Sequence, residues 1–302
     1  FNSINSAVCG ALGINTYLQG VIIMVCINTI AVRVGEQAGV GNIYRFMKNS
    51  LGVTSLTPED NDSGPMILGS QTHGISPYEL AGAYMMLGNG GSFTTLHCYT
   101  SVQTGYGREI AAPELKTKQV LGTDTAYVMN RLLKNVLYSS VGTASGRYPN
   151  SNGMEAFGKT GTASDEKDLW FVGGTPYYVT AVWWGYDAPY DMTRTLTKQQ
   201  AKTRTCVMAW KALMEQAQAD LPYKSFPTSS GVVERRYCTQ SGLLAGSSCP
   251  STAVGYYRAD DLPDTCTYSH GAPTQAADPA APAEEAPQQT VIPTDTSNLD
   301  TD

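Results

Sequence analysis

The stretch FGKTGTASDEKDLWFVGG, residues 157–174, decides the fold of this chain. Its first part places a lysine, two threonines and a glycine side by side, at 159–162. An acidic turn follows, and then an apolar and aromatic run at 169–172. Aromatic and β-branched residues on both sides of a turn are typical of two neighbouring strands. The stretch therefore predicts a strand, a turn and a strand, with the reactive side chains on the first strand.

Two motifs compete for Lys159, and they belong to different classes of protein. Residues 153–160, GMEAFGKT, match the phosphate-binding pattern G-x-x-x-x-G-K-[ST]. That loop must follow a buried strand and open a helix whose amides hold the phosphates. Here the turn-forming sequence RYPNSN precedes it, and strand-like residues follow at 170–172. The context opposes a P-loop NTPase. Nucleotide binding measured by calorimetry would support that class of protein.

The second interpretation takes Lys159 as the start of K-T-G, a motif of the active-site serine enzymes that recognise penicillin. Three blocks resemble the active-site strand pair of penicillin-binding transpeptidases: KTGTAS at 159–164, DLWFVG at 168–173 and VWWGYD at 182–187. Two more resemble a helix and loop of the bifunctional, class A members: LGS at 68–70 and GISPYELA at 74–81. The resemblance covers roughly residues 16–221.

The resemblance implies an α/β (α+β) fold of the serine β-lactamase and penicillin-binding transpeptidase type, with a five-stranded antiparallel sheet flanked by helices. It implies a D,D-transpeptidase, a serine acyltransferase that cross-links peptidoglycan stem peptides ending in D-Ala-D-Ala and binds β-lactams. This chemistry needs no cofactor. The implied location is the extracytoplasmic face of a bacterial cell membrane, reached through an N-terminal anchor outside this chain. The cell-division or elongation machinery is a candidate partner.

The resemblance also assigns roles to the residues of the lysine motif. Lys159 would hold a substrate carboxylate and favour the deprotonated nucleophile. Thr160 and Thr162 would offer hydroxyls to the same carboxylate, and the Thr162 amide would complete an oxyanion hole. Gly161 would allow the substrate backbone to approach the strand.

A further catalytic element is expected near the start of the chain. The sequence CINTIAVR at 26–33 resembles the family pattern S-x-N-T-x-A-V-R, whose serine relays protons while its asparagine orients the substrate. Asn28 matches that pattern. Cys26 stands in place of the serine, and a thiol is a weaker hydrogen-bond donor with a different pKa. Cys26 and Asn28 join Lys159 as candidate catalytic residues.

The nucleophile is expected to lie outside this chain. The family uses the serine of an S-x-x-K motif at the start of a helix, with the lysine as base, and this motif precedes S-x-N. The only S-x-x-K here is SDEK at 164–167, which follows K-T-G and falls in the predicted turn. The chain also starts at Phe1 without methionine or signal segment. We expect a fragment whose serine lies upstream, and which alone is inactive and forms no covalent penicillin adduct.

Composition divides the chain into three parts: an N-terminally incomplete transpeptidase domain at 1–222, a cysteine-containing appendage at 223–270 and a disordered, acidic, Pro/Ala-rich tail at 271–302. The tail holds six acidic residues and no Lys or Arg, and the remaining 20 acidic and 20 basic residues balance. This distribution indicates no nucleic-acid surface. The apolar run at 17–34 carries polar interruptions and predicts a buried helix rather than a membrane span.

The seven cysteines suggest two kinds of site. Cys238, Cys249 and Cys266 lie close together in a segment poor in core-forming residues, which outside the cell favours a disulfide staple. Cys9 and the other isolated cysteines, Cys98 and Cys206, are expected to be buried thiols. With only three histidines, none near an acid and serine pattern, the sequence predicts neither a catalytic triad nor a zinc site.

Local patterns predict the elements around the motif. SPYE at 76–79 is a capping box that opens a helix, and NGG at 89–91 ends it. Residues 92–120 predict short strands. Helices are expected at 123–137, capped by Thr123, and at 197–219. The VGTA turn at 141–144 resembles the G-T-A element before the lysine motif of the family.

Three alternatives to the synthase remain open. Cys26 and the displaced S-x-x-K suggest a catalytically inactive penicillin-binding homologue that only binds wall peptides or partner proteins. A β-lactamase or D,D-carboxypeptidase shares the motifs, although the GISPYELA block, the cysteine appendage and the tail favour the synthase. The P-loop NTPase is the third alternative.

Overall fold

The structure is a computed structural model of the chain of 302 residues. It describes residues 28–148, 153–188, 190–193 and 204–270. The chain divides into two units, Phe1–Tyr268 and Ser269–Asp302, and the elements below belong to the first. The predictions for Cys26, for Cys9 and for the acidic tail at 271–302 lie outside the described residues.

Helices and helical turns come first in the described chain. They are α1 (Asn28–Ala38), α2 (Val40–Arg45), the turns Phe46–Ser50, Pro58–Asp60 and Gly64–Leu68, and α3 (Pro77–Gly88). In the part of the chain that the structure covers, no helix has both the length and the apolarity needed to cross a membrane. Ser76 caps α3 as predicted, since its hydroxyl accepts from the Glu79 amide at 3.2 Å and the Glu79 carboxylate accepts from Ser76 in return.

Residues 92–120 form the predicted short strands. These are β1 (Ser92–Thr94), β2 (Val102–Gln103), β3 (Glu109–Ala111) and β4 (Thr117–Gln119), with β1 antiparallel to β4 and β2 antiparallel to β3. The following α4 (Thr123–Tyr138) confirms the predicted helix, but its cap differs. Gly122 is the N-cap and no side chain caps the helix, because Thr123 already occupies the first helical position.

The opening stretch forms the predicted hairpin. Strands β5 (Phe157–Thr162) and β6 (Asp168–Gly174) pair antiparallel, and β7 (Val179–Gly185) continues the sheet in the order β5-β6-β7. The described chain ends with α5 (Arg204–Ala217) and the antiparallel pair β8 (Val232–Cys238) and β9 (Thr252–Arg258). The first residues of the helix predicted at 197–219 lie outside the described ranges, and the count of five strands stays a prediction.

Helices cover both faces of the three-stranded sheet. On one face Phe171 of β6 is fully buried against Trp210 of α5, with ring centroids 5.1 Å apart. On the other face Phe157 of β5 lies between Tyr84 of α3 and Phe226, at centroid distances of 6.4 and 5.4 Å. Successive side chains of a strand point to opposite faces. The positions of Phe157 and Phe171 therefore determine which face of the sheet each residue of β5 points to.

The thiols match their predictions only in part. Cys206 is buried in the core beneath β6, as expected. Cys98 is exposed, so the prediction of burial is wrong there, because it lies in the surface loop that follows β1. The structure holds Cys238, Cys249 and Cys266 as thiols rather than in the predicted disulfide.

A buried carboxylate organises the loop between α2 and α3. Asp60, 0% exposed, accepts hydrogen bonds from the backbone amides and hydroxyls of Thr57 and Thr72, at 2.7 to 3.1 Å. The pKa of the Asp60 carboxyl is lowered from 3.8 to about 2, chiefly because the backbone amides of Thr57 and Thr72 donate hydrogen bonds to it. Because the folded pKa is depressed, its contribution to stability is complete above the ordinary pKa and is lost as the pH falls towards 2.

We expect Asp60→Asn to flatten the acid limb of the stability profile. The amide cannot accept four hydrogen bonds as an ionised carboxylate does, so the variant should be less stable at pH 7. It should also lose less stability than the parent between about pH 4 and pH 2. Urea unfolding at several pH values measures both effects, with the exposed Asp62→Asn as matched control. Parallel acid limbs for parent and Asp60→Asn would contradict the assignment.

Candidate active site

The predicted lysine motif lies on the edge strand of the described sheet. Lys159 and Gly161 share the face of Phe157, while Thr160 and Thr162 point to the opposite face. Lys159 is half-buried and pairs with Val172, and Thr160 is 6% exposed. The end of the strand near the turn is exposed to solvent, and Thr162 is exposed there. The hairpin therefore brings Lys159, Thr160, Gly161 and Thr162 together.

The ammonium group of Lys159 lies against its own strand. Its Nζ donates to the Thr160 carbonyl oxygen at 2.8 Å and lies 3.5 Å from Thr160 Oγ1. The positive charge is thus held beside a threonine hydroxyl at the sheet edge. An ammonium beside a hydroxyl can bind a carboxylate by charge and hydrogen bonding together.

Thr143 is a site residue that the sequence did not assign. Its Oγ1 lies 2.8 Å from Thr160 Oγ1 and shares a hydrogen bond with it. The VGTA turn after α4 presents Thr143, and this turn needs Gly142, where an added Cβ would lie 2.4 Å from the Val136 carbonyl oxygen. The resemblance of this turn to the family G-T-A element was the available signal, but the contact spans 17 residues and only the fold reveals it.

An ion-pair group fastens the start of β5 to α4. Glu155, just before the strand, accepts from Lys134 at 2.5 Å and from Arg131 at 3.4 Å. Burial would raise the pKa of the Glu155 carboxyl, but the hydrogen bond from Lys134 and the two positive charges outweigh it, and the pKa is lowered. The next residue is held too, since Ala156 donates its amide to the Tyr138 hydroxyl at 3.2 Å. The position of Lys159 therefore rests on two neighbouring anchors.

The SDEK sequence occupies the turn between β5 and β6, as predicted. Ser164–Glu166 forms a single short helical turn, and the Ala163 amide donates to the Asp168 carbonyl oxygen at 2.9 Å to close the hairpin. Ser164 is exposed and does not begin an α-helix. The arrangement lacks the helix start from which the family nucleophile acts, so Ser164 does not match that role.

The phosphate-loop interpretation of Lys159 is wrong in this fold. Gly158, Lys159 and Thr160 all lie inside β5 and pair with β6. A phosphate loop needs successive amides at the start of a helix, whereas this strand leads through a tight turn into another strand.

Asn28 is the first described residue and begins α1 with an exposed side chain. Helix α1 packs against Gly64–Leu68, and there Gly35 permits close contact because an added Cβ would lie 2.3 Å from Ile67 Cδ1. Its neighbour in the motif, Cys26, lies outside the described residues. A catalytic role for Asn28 stays a prediction.

An antiparallel sheet between helices, with a lysine and hydroxyls on its edge strand, fits the penicillin-recognising transpeptidase class. Residues 34–201 match the family described as penicillin binding protein transpeptidase domain. Since this is more than half of the chain, the chain belongs to the penicillin-binding protein transpeptidase family. The predicted fold class is confirmed.

The most informative relatives are penicillin-binding proteins 1A. The chain is 31% identical over 222 residues to that of Clostridium botulinum (strain Langeland), covering 74% of this chain and 26% of the relative. It is 30% identical over 253 residues to that of Clostridium tetani, covering 81% and 32%. The crystal structure of penicillin-binding protein 1A from Haemophilus influenzae has a TM-score of 0.67 at 20% identity, covering 82% of this chain and 41% of that one. The chain thus spans a third or less of the two clostridial relatives.

Proposed function

We propose that this chain is the D,D-transpeptidase part of a peptidoglycan synthase of the penicillin-binding protein 1A type. Its substrates are stem peptides ending in D-Ala-D-Ala, and β-lactams occupy the same site. The observation that carries this proposal is the half-buried Lys159 on an edge strand beside the linked hydroxyls of Thr160 and Thr143. It is supported by the relationship to penicillin-binding proteins 1A.

Each feature of the edge strand suits a peptide with a terminal carboxylate. The ammonium of Lys159 attracts the carboxylate, and the Thr160 and Thr162 hydroxyls can donate to it. An edge strand also offers backbone groups to an extended peptide, which adds as a further strand. The Thr162 amide would then stabilise the oxyanion that forms at the reacting carbonyl.

The chemical step is acyl transfer through a serine that lies outside this chain. The serine oxygen attacks the carbonyl of the penultimate D-Ala, its proton passes to a base, and the terminal D-Ala leaves with a proton on its amine. The amine of a second stem peptide then attacks the ester and releases the serine. Cys26 and Asn28 are the candidates for proton relay and substrate orientation. The reaction takes place on the extracytoplasmic face of the membrane, with an anchor elsewhere in the protein.

Penicillin labelling tests this proposal. A longer protein that contains this chain and an upstream S-x-x-K should form a stable ester with a fluorescent penicillin on that serine. The chain of 302 residues alone should keep its intact mass, and Ser164→Ala should change neither result. A penicillin adduct on Ser164 would sink the proposal.

A catalytically inactive homologue is the second candidate, because a thiol at Cys26 replaces the relay hydroxyl of the family pattern. It predicts that the longer, folded protein binds stem peptides but is not acylated. Restoring the hydroxyl with Cys26→Ser would then be expected to raise the acylation rate. Acylation of the unaltered protein at a rate that Cys26→Ser does not raise would exclude the inactive homologue.

A further inference from the structure

Three cysteines converge in the segment after the transpeptidase sheet. The Sγ atoms of Cys238, Cys249 and Cys266 all lie within 4.8 Å of one another. Cys238 and Cys266 are buried and Cys249 is half-buried. They come from three separate pieces of chain: the end of β8, the turn before β9 and the segment after β9. The three sulfurs are close together only because the segment that contains β8 and β9 is folded.

Backbone hydrogen bonds hold two of the three pieces in place. The Cys238 amide donates to the Leu243 carbonyl oxygen at 2.8 Å, and Gly242 makes the reversal with a φ of 76°. Leu244 then bridges to Thr265, and the Cys266 amide donates to the Leu244 carbonyl oxygen at 2.7 Å. Cys238 and Cys266 are thereby brought side by side through Leu244.

Hydrogen bonds also reach the sulfur atoms themselves. The Gly246 amide donates to Cys249 Sγ at 3.3 Å, and the Ser241 hydroxyl donates to Cys266 Sγ at 3.0 Å. Donors aimed at sulfur favour the thiolate form and orient it as a ligand. The chain between β8 and β9 therefore supplies both donors that support thiolate charge on these sulfurs.

We propose that Cys238, Cys249 and Cys266 hold a structural Zn²⁺ ion. A tetrahedral zinc site with Zn–S bonds of about 2.3 Å separates its sulfurs by about 3.8 Å, so the observed spacing needs only a small contraction. A disulfide joins two sulfurs at about 2.05 Å and gives the third no role. The sequence, with only three histidines, predicts no zinc site, but structural zinc sites are commonly built from cysteine thiolates.

Structural zinc takes four ligands, and the sequence suggests the fourth. His270 follows Cys266 by four residues, a spacing found between zinc ligands. A metal suits this segment because a small, loop-rich region with few core residues needs a covalent or metal staple. Each sulfur loses its proton when it binds the ion, and no oxidant is needed.

Metal content of the whole chain tests the site. Protein purified under reducing conditions, given ZnCl₂ and dialysed, should hold one zinc per chain by mass spectrometry of the elements. Cys238→Ser and Cys266→Ser should each weaken zinc binding at least tenfold, as measured by competition with a chelator. Cys98→Ser removes an exposed thiol elsewhere and should leave the zinc content unchanged. Replacing zinc with Co²⁺ should give the thiolate-to-cobalt charge-transfer band.

A thiol measurement keeps the test decisive if a variant fails to fold. In the unaltered chain, zinc should protect Cys238, Cys249 and Cys266 from iodoacetamide, and EDTA should expose all three together. His270→Ala should weaken zinc without abolishing the cobalt–thiolate band. Absence of bound zinc from the folded, reduced chain would overturn the proposal. A disulfide between two of the three cysteines that forms in air despite added zinc would overturn it as well.

Discussion

Lys159→Met is expected to slow penicillin acylation by about 10² to 10³-fold in a longer protein that carries the nucleophilic serine, a loss typical of removing one electrostatic contact to the transition state. Methionine keeps an unbranched side chain of similar length, so β5 should retain its pairing with β6. What disappears is the ammonium that lies 2.8 Å from the Thr160 carbonyl oxygen. The rate of fluorescent-penicillin labelling at several penicillin concentrations gives the second-order constant directly.

The matched control is Lys167→Met, a lysine at the end of the same hairpin turn. It belongs to SDEK, the only S-x-x-K of the chain, so it also tests that motif. We expect Lys167→Met to label at the parental rate and both variants to unfold at the parental urea concentration. Loss of labelling in Lys167→Met with normal labelling in Lys159→Met would reverse the assignment of the catalytic lysine.

The hydroxyl pair beside Lys159 shows where sequence reasoning ends. The β5–β6 hairpin was predictable because strand-forming residues, turn and strand follow one another within 157–174. The partnership of Thr143 with Thr160 was not, since it depends on how the turn after α4 packs on the sheet. Local patterns thus located the lysine motif, and tertiary packing decided which neighbour completes it.

The helix caps and the cysteines also show that local patterns are predictable and tertiary contacts are not. The box at Ser76 was predictable because both partners lie within one turn. Thr123 was assigned as a cap from its residue type, but the N-cap lies one residue earlier, at Gly122. Sequence spacing suggested that Cys238 and its neighbours belong together. It could not distinguish a pair of sulfurs from a convergence of three, because that depends on the bridges through Leu244.

Trp210→Ala is expected to lower the free energy of unfolding by about 3 to 5 kcal/mol, the range for truncating a large buried aromatic side chain. Trp210 is 0% exposed and its ring centroid lies 5.1 Å from those of Phe171 and Tyr148. Its indole N–H also donates to the Gly173 carbonyl oxygen at 3.1 Å. Trp210→Phe keeps an aromatic ring but loses this hydrogen bond, so it should cost less. Urea unfolding followed by circular dichroism measures both changes.

The control on the same helix is Met208→Ala, whose side chain is 48% exposed and should change stability by less than about 0.5 kcal/mol. Trp210 packs on β6, the strand that holds β5 in register at Lys159. Trp210→Ala should therefore lower penicillin labelling only in proportion to the folded fraction, whereas Lys159→Met lowers labelling of fully folded protein. A Trp210→Ala variant as stable as Met208→Ala would mean that α5 does not support the sheet, and the packing described for this face would be wrong.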